Sequence, residues 1–145
     1  MLSLQEISDK LEIQELLVEY CYAIDFRDWD ALDRIFTPDA IVDYTEMGGS
    51  RGNLAETKAF LNQAMPMFEA FQHMISTSKI TINGDTAEGR TILHNPMVLP
   101  AQGEGGKPHV FFCGLWYRDT FVRTPEGWRI SGRHEEKSYT YNQPW

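Results

Sequence analysis

Leu4, Ile7, Leu11, Leu16, Leu17, Tyr20 and Ile24 recur at close to 3.6-residue spacing, which predicts a first helix of five or six turns. Ser3-Leu4-Gln5-Glu6 at its start reads as a capping box, with Ser bonding forward and Glu bonding back. A second, shorter apolar set, Trp29, Leu32, Ile35 and Phe36, predicts a short helix ended by Pro38. Residues 40–45 read as a strand, turned by Met47-Gly48-Gly49-Ser50. Asn53-Leu54-Ala55-Glu56 caps a third helix that runs through Phe60, Leu61 and Ala64 and is disturbed by Pro66.

Beyond Phe71 the pattern changes to strands. Residues 75–82 and 86–99 flank Asn83-Gly84-Asp85, a tight-turn sequence, and residues 109–123 and 127–139 form a second hairpin around Thr124-Pro125-Glu126-Gly127. The order α-α-β-α-β-β-β-β predicts an α+β fold, a curved antiparallel sheet with helices on one face. No repeat, low-complexity tract or linker divides the chain, so residues 1–145 read as a single domain. Val110 and Phe112 are apolar at one parity and Phe111 and Leu115 at the other. A strand apolar on both faces needs cover on both, by helices on one side and by a pocket or a second copy of the chain on the other.

Composition narrows the classes. Twenty-one acidic against thirteen basic residues give a formal charge of −8, with no basic stripe for nucleic acid. No apolar run reaches the roughly 20 residues of a membrane span, and Met-Leu-Ser-Leu-Gln-Glu reads as an acidic helix start rather than a signal peptide. Cys21 and Cys113, both in apolar contexts, are expected as free buried thiols in a reducing cytoplasm, without the cationic neighbours of a reactive nucleophile.

The chemistry-bearing candidates are Asp25, ending the first helix, and His73, in Phe71-Gln72-His73-Met74-Ile75. Each is polar among apolar neighbours, where an unpaired group costs several kcal/mol. Paired, the Asp accepts the proton of one ring nitrogen and leaves the other free to take a proton from carbon. Tyr20 lies five residues before Asp25, about 140° away around a regular helix, so a pocket reaching both must wrap the helix end. Tyr44 is a second candidate hydroxyl, and Asn95 is a candidate substrate-facing amide or simply the strand's exit toward Pro96. Phe112 and Trp116 are read as core or pocket wall suited to a hydrophobic ligand, and Arg133 as a pocket group or an ion-pair partner of surface acids. His94, His109 and His134 lack ligand spacing, so no metal and no other cofactor is expected.

Tyr20…Ile24-Asp25-Phe26-Arg27-Asp28-Trp29-Asp30-Ala31-Leu32, Phe36-Thr37-Pro38-Asp39-Ala40, Gln72-His73-Met74-Ile75-Ser76 and Gly127-Trp128-Arg129-Ile130 together resemble the SnoaL-like branch of the nuclear transport factor 2-like superfamily. The resemblance implies a cone-shaped α+β barrel with an internal apolar pocket. Scytalone dehydratase, the hexachlorocyclohexane dehydrochlorinase and the bile-acid 7α-dehydratase are similar in having an Asp at the position of Asp25 and a His at that of His73, there a proton-abstracting pair. A functional Tyr or Lys falls at Tyr20, a catalytic Asp of the bile-acid enzyme at Asn95, and an active-site Arg at Arg133. The reading is therefore a cofactor-independent dehydratase-type lyase acting on a hydrophobic cyclic or aromatic hydroxy-carbonyl compound. His73 is its base, Asp25 the orienting group and Tyr20 a hydrogen-bond donor, with Tyr44, Asn95, Phe112, Trp116 and Arg133 around the substrate. A double-bond isomerase, a polyketide cyclase and a non-catalytic small-molecule-binding dimer are the alternatives on the same fold. A homodimer or higher homo-oligomer is expected, with no nucleic-acid or membrane partner.

Overall fold

A computed structural model describes residues 1–145. Helix α1 (Leu4–Asp25) begins in the expected capping box: the Glu6 N–H donates to Ser3 Oγ at 3.1 Å and the Ser3 N–H to Glu6. It ends abruptly. The Asp28 N–H bonds the Ala23 carbonyl at 2.8 Å and the Arg27 N–H that of Ile24 at 3.0 Å, with Arg27 in the left-handed region at φ 56°. This is a Schellman stop built on a non-glycine residue, and it leaves Asp25 as the last helical side chain.

The buried face of α1 is shifted from the predicted one. Leu16, Leu17, Tyr20 and Ile24 are buried as expected, but Leu4, Ile7 and Leu11 are exposed, and the early turns face inward through Asp9 and Ile13. The reason is chemical: Asp9 is the acceptor at the centre of a polar cluster described below, so this end of the core is closed by hydrogen bonds.

A 3-10 turn (Trp29–Ala31) leads into α2 (Leu32–Ile35), which ends at Phe36 rather than Pro38; Pro38 lies within β1 (Phe36–Asp43). The register of β1 is irregular between Phe36 and Ile41, where a proline without an N–H is tolerated. Strand β2 (Arg51–Gly52) precedes α3 (Leu54–Ala64), which opens on the Asn53–Glu56 capping box, and β3 (Ala70–Phe71) precedes the long strands β4 (Met74–Asn83), β5 (Thr86–Leu99), β6 (His109–Thr124) and β7 (Gly127–Tyr141). The strand order is β2-β1-β7-β6-β5-β3, with β4 also on β5. The sheet is mixed, not wholly antiparallel, because β1 pairs parallel to β7. It curls around the helices as an α+β half-barrel, its inner face carrying Phe111, Leu115, Tyr117 and Phe121 of β6 and Leu93 and Met97 of β5. Burying one such side chain stabilises the fold by about 1.5–3 kcal/mol.

Two bulges in β7 decide what faces inward. Ile130 pairs with Phe121 but Gly132 with Thr120, so Ser131 is an extra residue; Lys137 pairs with Leu115 but Tyr139 with Gly114, so Ser138 is another. Before Ser131 the even-numbered Trp128 and Ile130 point into the core. Between the two serines the odd-numbered Arg133, Glu135 and Lys137 share the face of Asp119, Tyr117 and Leu115. After Ser138, Tyr139 and Tyr141 fall on the outer face with Gly114 and Phe112.

Candidate active site

The edge beside β5 is interrupted at Gln72 and His73. Phe71 pairs with Met97 and Met74 with His94, so the register sets His73 across from the inward-facing Asn95. The interruption frees the His73 N–H from the ladder, and Asp25 takes it: both carboxylate oxygens lie 3.1 Å from that nitrogen. Oδ1 also lies 2.7 Å from His73 Nδ1. Asp25 thus fixes backbone and ring together, and with Nδ1–H donating to it the imidazole lone pair is on Nε2. Asn95 secures the same segment, its Nδ2–H donating to the Gln72 carbonyl at 2.9 Å.

His73 lines a cavity of 360 Å³ between the helices and the inner sheet face. Its side chain is only 8% exposed, against 21% for that of Asp25. Fifteen of the 21 lining residues are hydrophobic, among them Ile24, Phe60, Leu61, Met65, Phe68, Met97 and Phe111. Tyr20 and Tyr44 also line it, their hydroxyls 2.5 Å apart. In such a pair one hydroxyl donates to the other, and the acceptor keeps a proton of its own. Burial raises both phenols above their usual range, so both stay protonated donors.

Beneath Tyr20 lies a buried ion pair. Arg133 Nε and Nη2 donate to Asp119 Oδ1 and Oδ2, each at 2.7 Å, and neither side chain is exposed. The guanidinium is held between the rings of Tyr20 and Tyr117, 4.0 and 3.8 Å from their centroids.

Glu135 is the one acid that reaches into the cavity wall. It is half-buried, its side chain set against the largely apolar lining of the cavity. Burial pushes its carboxyl up to about 8, opposed by the Arg133 charge and reinforced by Asp119 and Asp43, and no hydrogen bond offsets the effect. No group of three or more His, Cys, Asp or Glu side chains converges as a metal site.

The pattern that defines the SnoaL-like domain matches residues 5–134. The chain belongs to the SnoaL-like family. It is 50% identical over 139 residues, 96% of its own length and 92% of the relative's, to the uncharacterized protein Rv2910c of Mycobacterium tuberculosis. The Kfla4162 protein of Kribbella flavida is 29% identical with a TM-score of 0.83, over 93% of this chain and 94% of that one. The hexachlorocyclohexane dehydrochlorinase LinA-type3 of Novosphingobium barchaimii superposes with a TM-score of 0.78 at 18% identity, over 92% and 89% of the two chains, a likeness of fold.

Within this SnoaL-like domain, His73, Tyr20, Tyr44 and Asn95 line one space, and Asp25 adjoins it through His73, whereas three other sequence candidates lie elsewhere. Phe112 and Trp116 are not cavity walls: with Phe111 and Leu115 inward, β6 puts its even-numbered residues outside. Phe112 stacks there between His94 and Tyr141, and Trp116 lies under Arg90. Arg133 is an ion-pair residue, but its acid is the buried Asp119 rather than a surface one, and it does not line the cavity. Glu135 escaped the sequence reading because Arg133-His134-Glu135-Glu136-Lys137 looks like a solvated polar strand. The available signal was that so polar a run follows the apolar Trp128 and Ile130 in the last long strand.

Proposed function

We propose that this SnoaL-like domain is a cofactor-independent lyase that eliminates water from a hydrophobic cyclic or aromatic β-hydroxy-carbonyl compound. The observation that carries the reading is the Asp25–His73 pair set against an apolar cavity. His73 Nε2 takes the proton α to the carbonyl, and Asp25 holds the tautomer and balances the imidazolium that forms. The free proton of the Tyr20–Tyr44 pair bonds the enolate oxygen. A placed base contributes about 10²–10⁴-fold and an oxyanion donor about 10²–10³-fold, which suffices for a C–H already acidified by a carbonyl. The dehydrochlorinase of similar fold carries out a related elimination, as its name states.

The test is His73→Ala and Asp25→Asn, assayed against aromatic and cyclic β-hydroxyketones by the absorbance of the enone product. Turnover should fall by about 10²–10⁴-fold in His73→Ala while affinity for the saturated ketone stays within about tenfold, because the apolar walls remain. Equal turnover in wild type and His73→Ala excludes this mechanism. A coupled loss of ligand affinity and melting temperature, with no turnover by any form, identifies a binding domain instead.

We further propose that a second copy of the chain covers the outer face of β5–β7. Val110, Tyr139 and Tyr141 are exposed there beside the Phe112 stack, a neutral aromatic area on a chain of charge −8. Two copies meeting through it keep their acidic surfaces apart. Tyr141→Asp should shift the sedimentation coefficient from dimer to monomer; a monomeric wild type at high micromolar concentration overturns the assignment. The buried free thiols Cys21 and Cys113 fit a reducing, cytoplasmic setting.

A further inference from the structure

We infer that Glu135 is a further catalytic residue: a neutral carboxylic acid that donates the proton with which the β-hydroxyl departs as water. The assignment rests on the lyase reading above and supplies what the Asp25–His73 pair lacks, since hydroxide is a poor leaving group and His73 enters the cycle as a base.

Position is the first support. Glu135 enters the cavity from β7, two strands away in the sheet from β5, against which His73 is set, and the space between them is lined chiefly by apolar side chains. The donor role requires a flat substrate that presents its α-carbon to His73 and its β-oxygen to Glu135 within that space. The second support is the absence of a competing structural role. Asp9, Asp25 and Asp119 each accept two or more hydrogen bonds, whereas Glu135, half-buried, has none, although an unmatched carboxyl withdrawn from water costs stability. Its polar surroundings are incomplete too: the hydroxyl of Tyr117, its cross-strand neighbour, and Nη1 of Arg133, two residues before it, are buried without partners. The third support is electrostatic. Arg133 would hold Glu135 ionised, but Asp119 already engages that guanidinium through two bonds, so desolvation prevails and the carboxyl keeps its proton at neutral pH.

The step balances. His73 Nε2 accepts the α-proton, and the C–H electron pair becomes the new C=C bond. The C–O pair leaves with the hydroxyl oxygen, which takes the Glu135 proton. Enone and water are released, and solvent returns a proton from His73 to Glu135.

The groups facing Glu135 are Tyr20 from α1, Asp43 and Tyr44 from β1 and its end, and Cys113, Tyr117 and Asp119 from β6, besides Arg133 on β7. The three phenols are raised by burial and the Cys113 thiol is pushed up to about 11. None of these four loses a proton near pH 8.

The test compares wild type, Glu135→Gln and His73→Ala on two probes, 4-hydroxy-4-phenylbutan-2-one and its acetate ester, which yield the same enone. Acetate leaves without a proton. Glu135→Gln should therefore lose about 10²-fold or more on the alcohol, stay within about threefold on the acetate, and lose the alkaline fall of the wild-type profile. His73→Ala should lose activity on both. Equal losses on the two probes in Glu135→Gln, or no loss on the alcohol, overturn the donor role while leaving the base intact; no turnover of either probe by wild type overturns the lyase reading and the donor role with it. A readout without substrate runs beside it. A carboxyl raised from 4.5 to about 8 on folding makes stability fall as pH climbs through that window, and Glu135→Gln should remove this slope. An unchanged slope in the variant also overturns the assignment.

Discussion

Asp9, under the turn of the β6–β7 hairpin, receives hydrogen bonds from three side chains, and Glu135, on the same hairpin, receives none. Arg123 reaches Asp9 through Nη1 and Nη2 at 2.7 and 2.8 Å, Trp128 through Nε1 at 2.9 Å and Gln5 through Nε2 at 3.0 Å. Those donors hold the Asp9 carboxyl well below the usual carboxylate range. Burial moves Glu135 the other way, with no such donors to offset it. This fold separates scaffold from chemistry by the supply of donors: a buried acid saturated with them is locked and ionised, and one set against an apolar cavity keeps its proton. Asp25 stands between the two, saturated on its own account yet leaving its partner His73 open.

Unsaturating a locked acid has the largest expected effect. Asp119→Ala leaves the Arg133 guanidinium buried without a counter-charge, and should cost about 3–5 kcal/mol in urea denaturation. A loss below about 1 kcal/mol would show that the pair is not locked, and Glu135 would then face an Arg free to ionise it. Asp9→Asn should cost less, about 2 kcal/mol, because the Arg123 side chain is 31% exposed and water can take over part of its hydration. The same variant sharpens the contrast by pH. A carboxyl held below its ordinary value of 3.8 stabilises the fold above that pH and ceases to do so as pH falls beneath it, so acid unfolding of Asp9→Asn should lose that component. Tyr44→Phe should be the mildest, at about 1 kcal/mol in stability and about tenfold in turnover, since Tyr20 retains one hydroxyl at the cavity. A full loss of activity would make Tyr44 the sole donor.

The pattern of apolar positions revealed the helix order and both late hairpins, because those depend on local periodicity and on turn residues such as Gly84 and Gly127. Asp25 and His73 were legible as polar residues in apolar stretches, and family resemblance paired them. The parallel β1–β7 pairing was not legible, since it joins the first long strand to the last and has no local signature. Nor were the bulges at Ser131 and Ser138: a single extra residue reverses inside and outside without altering composition, and so hid Glu135. Phe112 and Trp116 were misassigned for the related reason that aromatic character does not state which side of a sheet a residue occupies.

Ser131 bears on how such a domain acquires new activities. The segment before it supplies Trp128 and Ile130 to the packed end, and the segment after it supplies Arg133 and Glu135 to the open end, although both belong to one continuous strand. Drawing that residue into a regular ladder, without the bulge, would bring Gly132, His134 and Glu136 inside and turn Arg133 and Glu135 to water. Substitution downstream of the bulge can therefore retune reactivity while the packing upstream stays as it is, whereas smoothing the bulge into a regular ladder would exchange the whole reactive set at once. Such a strand is modular within itself, and it gives one scaffold both gradual and abrupt routes to a different reaction.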